Sequence, residues 1–260
     1  MALAIRAEQG DQLAGGCGDR SYAAGRNAGE KALHPGASLR DSMMCPGMIP
    51  ISMDSGRIFC RLTAAAGIAA PVLFTLVAVT LGLTLEGYDP LARLMSELGE
   101  TGAPTAGIMN TLGFGVTGLL MVLFSLCVDR FFGRYLSGRA GAVLVAISGI
   151  SFLGMAVFSC DRGCIPVTNA GQIHLQLGLV ALVAAVAAAF LLGYRMREDG
   201  NWQGYWQYSL LTGILVIGVL PVFLTYGHLD GLLQRVLVGL IFFWMEVLAI
   251  RLFLACRPVS

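Results

Sequence analysis

Beyond about residue 62 the chain alternates between apolar runs of around twenty residues and short polar stretches. That is the length a helix needs to cross a hydrocarbon core of about 30 Å. The runs predict helices at about 62–85, 105–128, 140–159, 174–194, 207–227 and 233–256. The expected fold is therefore all-α, a six-helix transmembrane bundle occupying residues 57–260. Pro71 and Pro221 fall inside the first and fifth runs. Membrane helices accommodate them because neighbours satisfy the freed carbonyls. Small residues at helical spacing, such as Gly115 and Gly118 or Ala142 and Ala146, suit close helix packing.

Residues 1–56 read differently. They are rich in Gly, Ala, Ser and charge and hold no sustained period, so they bury too little surface to offset ordering entropy. A disordered tail or a mis-assigned start is expected, with Met53 as a candidate true start ahead of Arg57 and Arg61. The first twenty residues lack the apolar core of a secretory signal.

Composition agrees with a membrane solvent, since 56% of the chain is apolar and 13% charged, against roughly a quarter charged in soluble domains. A net charge of +1 without a basic block excludes nucleic acid as a partner. Arginine placement sets the expected orientation. Arg57, Arg61, Arg130, Arg134, Arg139, Arg195, Arg197, Arg251 and Arg257 gather on one face, against Arg93, Arg162 and Arg235 on the other. Basic residues near helix ends stay in the cytoplasm. Both termini are therefore expected inside the plasma (inner) membrane, with loops 86–104, 160–173 and 228–232 outside.

This topology collects Glu97, Asp161, His174, His228, Asp230 and Arg235 on the outer side, from three separate loops. Converging loops of this kind would make a polar pocket. Taken singly, each residue is more ordinary, because helix ends are where caps and interfacial charges belong. A zinc reading would join His174 and His228 to Asp161 or Glu97, but no close-spaced ligand pair such as H-x-x-x-H is present. No metal and no cofactor is expected.

Among seven cysteines, Cys127 and Cys256 sit near the ends of apolar runs and read as packing residues. Cys160 and Cys164 face the expected oxidising side and can close a disulfide through a turn at Gly163. Glu246 and Asn110 are polar within apolar runs. A carboxylate near a membrane helix centre costs about 2.5 kcal/mol or more unless paired, protonated or hydrated. Glu246 is accordingly expected to face the bundle and bond Asn110, Ser148 or another hydroxyl, with a proton path as the functional alternative.

Several short segments carry a resemblance: Ser96-Glu97-Leu98-Gly99, Asn110 in a Gly-rich second helix, Phe158-Ser159-Cys160-Asp161, His174 opening the fourth helix, and Gly231-Leu232-Leu233-Gln234-Arg235 opening the sixth. Together they resemble the bacterial and archaeal membrane proteins grouped as domain of unknown function 998 (DUF998), over about residues 60–256. The resemblance implies a compact six-helix bundle with recurring outer polar positions, and it carries no activity.

The function expected from the residues is a multi-pass membrane protein with an outward polar pocket that binds a lipid headgroup or small ligand from the extracytoplasmic side. Glu97, Asp161, His174 and Arg235 would carry that binding. One alternative is an integral membrane hydrolase acting on an outer-leaflet lipid through His174 and Asp161. Another is a small-molecule or proton-coupled transporter, although no internal repeat is visible. A simple scaffold is the plainest alternative. Oligomeric state is not legible.

Overall fold

The structure is a computed structural model that describes residues 53–225 and 227–256. Residues 1–52, which hold most of the expected disordered tail, lie outside the described residues. Residues 53–56 do not belong to that tail, because the first helix, α1, spans Met53–Thr84. Its backbone amides are satisfied within the helix, so the chain need not be apolar to stay helical as it leaves the membrane.

Five further helices follow. They are α2 (Ala106–Phe132), α3 (Leu136–Val157), α4 (Asn169–Arg197), α5 (Tyr205–Thr225) and α6 (Asp230–Ala255). No strand occurs among the described residues. All six are long and apolar enough to cross a membrane. Large apolar side chains such as Leu76, Ile150, Leu179, Ile214 and Phe243 lie exposed on their outer surfaces. Helices that are apolar all round in this way belong in lipid.

Each helix packs on the next in chain order, and α6 closes the ring against α1. At the centre, Phe74 of α1 meets Phe114, Phe152 and Phe242 of α2, α3 and α6 at ring-centroid distances of 5.8, 5.7 and 5.3 Å. Edge-to-face contacts of this kind add to the burial they accompany. The peripheral member is α5, with 22% of its span buried against 50% for α2.

Glycine sets the closest approach. A side-chain carbon at Gly118 would meet the Gly149 carbonyl at 2.6 Å, and one at Gly149 would meet the Gly118 carbonyl at 2.8 Å. The α2 and α3 backbones therefore touch directly. Residues Met109–Val116 of α2 are π-helical. The wider turn changes the direction in which Asn110 and Phe114 project from the helix.

Gly149→Leu is expected to cost about 1–3 kcal/mol by wedging these helices apart. Gly218→Leu, which meets nothing within 4 Å, should change stability by less than about 0.5 kcal/mol. Thermal unfolding of both variants in detergent checks this, and equal melting temperatures would remove the glycine contact as the cause.

Candidate functional site

The loop between α1 and α2, residues 85–105, folds back onto the bundle instead of looping into solvent. A 3-10 turn at Met95–Gly99 buries Met95, Glu97, Leu98 and Gly99. Its polar backbone is satisfied by side chains. The Glu97 carboxylate accepts from the Leu94 amide at 2.7 Å and from Arg93 Nε at 2.7 Å. That bond raises the Arg93 pKa above its ordinary value. The Gln234 amide oxygen accepts from the Met95 amide, and Thr105 donates to the Leu98 carbonyl. Asn110 Nδ2 donates to the Gly99 carbonyl and to Ser159. Its Oδ1 crowds the space a side chain at Gly99 would fill, so residue 99 has to be glycine for α2 to reach the loop.

Arg235 completes this knot. Its guanidinium donates to the Arg93 and Gly231 carbonyls and to the Tyr88 hydroxyl, at 3.0, 2.8 and 2.6 Å. The Tyr88 hydroxyl in turn donates to the Leu94 carbonyl. Burial pushes the Tyr88 phenol above its ordinary pKa, with Arg235 pulling partly back, so Tyr88 remains a donor. Glu97 and Arg235 thus meet through Arg93, and both are spent on holding backbone.

Asp161 does separate local work. Its carboxylate accepts from the Val167 and Thr168 amides at 2.8 and 2.7 Å and from the Thr168 hydroxyl at 2.8 Å. These bonds, led by the Thr168 amide, hold its pKa below the ordinary value. Thr168 itself caps α4 by accepting from the Gly171 amide. A disulfide joins Cys160 and Cys164, whose α carbons are 5.0 Å apart. It spans left-handed backbone at Gly163 (φ 64) and Cys164 (φ 51). The second angle is one that a non-glycine residue adopts only when its surroundings enforce it.

His174 stands apart from the carboxylates. It is 5% exposed, packs edge-on against Phe114 at 5.6 Å, and places Nδ1 2.7 Å from the Phe158 carbonyl. A carbonyl only accepts, so Nδ1 carries the proton and Nε2 presents a lone pair. Nε2 is buried and has no partner among the described residues. His228 is exposed in the turn before α6, and Asp230 opens that helix half-buried. Neither makes a described bond to the other four candidates.

The six candidates therefore form no single polar pocket: Glu97 and Arg235 lie in one knot, Asp161 in a loop clasp, His174 in an apolar wall, and His228 and Asp230 at the surface. What the structure contains beside His174 is a cavity of about 370 Å³. Phe152 and Met155 of α3, Gly178 and Leu182 of α4, Phe223 of α5 and Leu237 and Phe242 of α6 line it. Ser96 and the Cys160–Cys164 loop line it at the end that carries the loop 85–105. At its rim Leu175, Leu179 and Leu224 are 58, 55 and 73% exposed, so it opens sideways, where lipid would lie.

Glu246 also departs from expectation. It is half-buried, and no described hydrogen bond or ion pair involves it. Its expected partners are engaged elsewhere: Ser148 donates to the Ala181 carbonyl, and Asn110 donates to Gly99 and Ser159. Two residues before it, Trp244 donates to Ser209 near the start of α5.

The sequence reading missed a disulfide between Cys60 and Cys256, with α carbons 6.0 Å apart. Cys256 is therefore a covalent partner and not packing alone. A separation of 196 residues hides the pairing, and only the closure of α6 on α1 brings the two together.

These features define a multi-pass helical membrane protein. The chain belongs to the family described as "Protein of unknown function (DUF998)", whose model matches residues 68–251. No curated protein and no solved structure matches it.

The loop clasp carries a pH prediction. A depressed carboxylate stabilises above its unfolded pKa and loses that stabilisation as pH falls through the folded value. Exchange protection of the Val167 and Thr168 amides should thus be flat above the ordinary carboxylate value of 3.8 and decline below it. Asp161→Ala should abolish the protection at every pH. Amide hydrogen exchange read by mass spectrometry checks both, and unchanged protection in Asp161→Ala would rule out the clasp.

Proposed function

We propose that this protein holds an amphiphilic, lipid-class molecule within the membrane. The apolar body would occupy the cavity between α3, α4, α5 and α6, and a hydrogen-bond-donating head would meet His174 Nε2. The observation that carries this reading is a buried histidine with an unpartnered Nε2 among the residues that line a largely apolar cavity. An unsatisfied polar atom costs about 1–3 kcal/mol, and a ligand donor removes that cost. A lateral opening between lipid-facing leucines suits a ligand that arrives from the bilayer and not from water.

Orientation belongs to the same proposal. The end where α1 begins and α6 finishes is rich in arginine over aromatic rings: Arg61 over Phe253, Arg195 over Tyr135, Arg197 over Trp206 and Arg251 over Trp202. Arginine and interfacial aromatics together favour this end as the cytoplasmic one. The cavity would then face the outer leaflet of a plasma membrane. Hydrolysis through His174 and Asp161 gains no support, since the two share no described hydrogen bond and Asp161 is committed to Val167 and Thr168.

Delipidated protein in detergent is expected to bind a fluorescent monoacylglycerol about three- to tenfold more tightly than the methyl ester of the same acid, which lacks a donor. His174→Phe should erase that difference while keeping ring packing on Phe114. Gly178→Leu, which fills the cavity, should weaken both ligands. Binding of neither probe, or a preference that survives His174→Phe, would overturn the proposal.

A further inference from the structure

At the end of the bundle where α1 begins and α6 finishes, three cysteines from three helices meet. Cys60 lies in α1, Cys127 in α2 and Cys256 directly after α6, and their sulfurs all lie within 4.8 Å of one another. All are buried, at 5, 0 and 5% exposure. Cys60 and Cys256 are joined as a disulfide and Cys127 is free, its sulfur 3.8 Å from the Cys60 carbonyl. A staple between α1 and α6 needs two cysteines, so the third calls for its own explanation.

We propose that the reduced trio is a binding site for a soft monovalent cation, with Cu(I) as the defining ion. This rests on the orientation argued above, which places the trio against a reducing compartment where disulfides rarely persist. Two equivalents of a glutathione-class monothiol reduce Cys60–Cys256: the pair gains two protons and two electrons, and the monothiol leaves as its own disulfide. The three thiols then give up their protons to solvent as the cation binds.

Ligand chemistry selects the ion. Thiolates favour soft metals, and no histidine or carboxylate joins the cluster among the described residues. Structural zinc takes four protein ligands, and catalytic zinc keeps a water in the fourth place. Three sulfurs in a buried pocket instead suit the low coordination numbers of Cu(I).

The helices are fixed before any ion binds. Two turns farther into the membrane, the space a side chain at Gly67 would fill is occupied by Phe124 and Ala249, so α1, α2 and α6 meet there without a gap. Cys60 and Cys256 also fall outside residues 68–251, so the trio is not contained in the stretch that defines the family.

The test titrates Cu(I) into reduced full-length protein against the chelator bicinchoninate, with the thiols outside the trio removed by Cys17→Ser, Cys45→Ser, Cys160→Ser and Cys164→Ser. The expected result is one Cu(I) held per chain, with a thiolate-to-copper charge-transfer band in the ultraviolet. Cys127→Ser, checked for folding by circular dichroism, should weaken binding by more than about tenfold. Protein that cannot take Cu(I) from the chelator, or binding indifferent to Cys127→Ser, would overturn the site. Alkylation of acid-quenched cells should find Cys60 and Cys256 as thiols, and an intact disulfide there overturns it too. A C-terminal reporter reads orientation independently, so failure of the topology is distinguishable from failure of the site.

Discussion

Backbone that leaves a helix near the hydrocarbon must find hydrogen bonds inside the protein, because each group left open there costs several kcal/mol. The loop from 85 to 105 is where this constraint presses hardest. It buries Leu98 fully and packs against the N-terminal ends of α2 and α6. Its exposed carbonyls and amides are met by Arg235, Gln234, Asn110, Thr105 and Tyr88. Backbone pairing adds Leu232 to the Leu91 carbonyl and Thr101 to the Cys160 carbonyl. Almost every polar residue at this end is thereby committed, which is why so few remain for a ligand.

Two side chains at this end keep a buried atom without a partner, Asn110 at Oδ1 and His174 at Nε2. His174, satisfied at Nδ1, is the one that lines the cavity, among residues that are mostly apolar with Ser96, Ser148 and Gln234 beside them. The knot and the Cys160–Cys164 loop roof the cavity, so chain that could have been flexible becomes its lid. The peripheral helix α5 packs closely on α4 near Gly193, where a side chain would meet Ser209 at 3.1 Å. Toward its other end Leu224 stands exposed at the cavity rim. One helix thus packs closely at its first half and leaves the cavity open toward its second.

The six spans were legible because a membrane helix writes its whole length in apolar residues, with no partner required. The candidate site was legible only as a set of polar positions at one end. Sequence spacing distinguishes neither Arg235 bound to backbone from Arg235 awaiting an anion, nor Asp161 clasping a loop from Asp161 orienting His174. Those roles depend on which carbonyl lies within about 3 Å, a property of the folded loops. The cavity was invisible for a further reason, since its walls are the same Phe, Leu and Met that fill a core. Cys127 and Cys256 read as packing residues, and Cys60 carried no signal of its own, until ring closure set the three side by side.

The π-helical stretch of α2 links the two ends of this account. Its wider turn leaves Phe114 in contact with both Phe74 and His174 while Asn110, one turn earlier, reaches Gly99 and Ser159. A regular α-helix would rotate one of these side chains off its partner, because the extra residue per turn shifts every later position by roughly 100°. The irregularity therefore lets a single helix serve the aromatic centre and the loop knot together. It also ties the orientation of His174 to the same element that pins the lid.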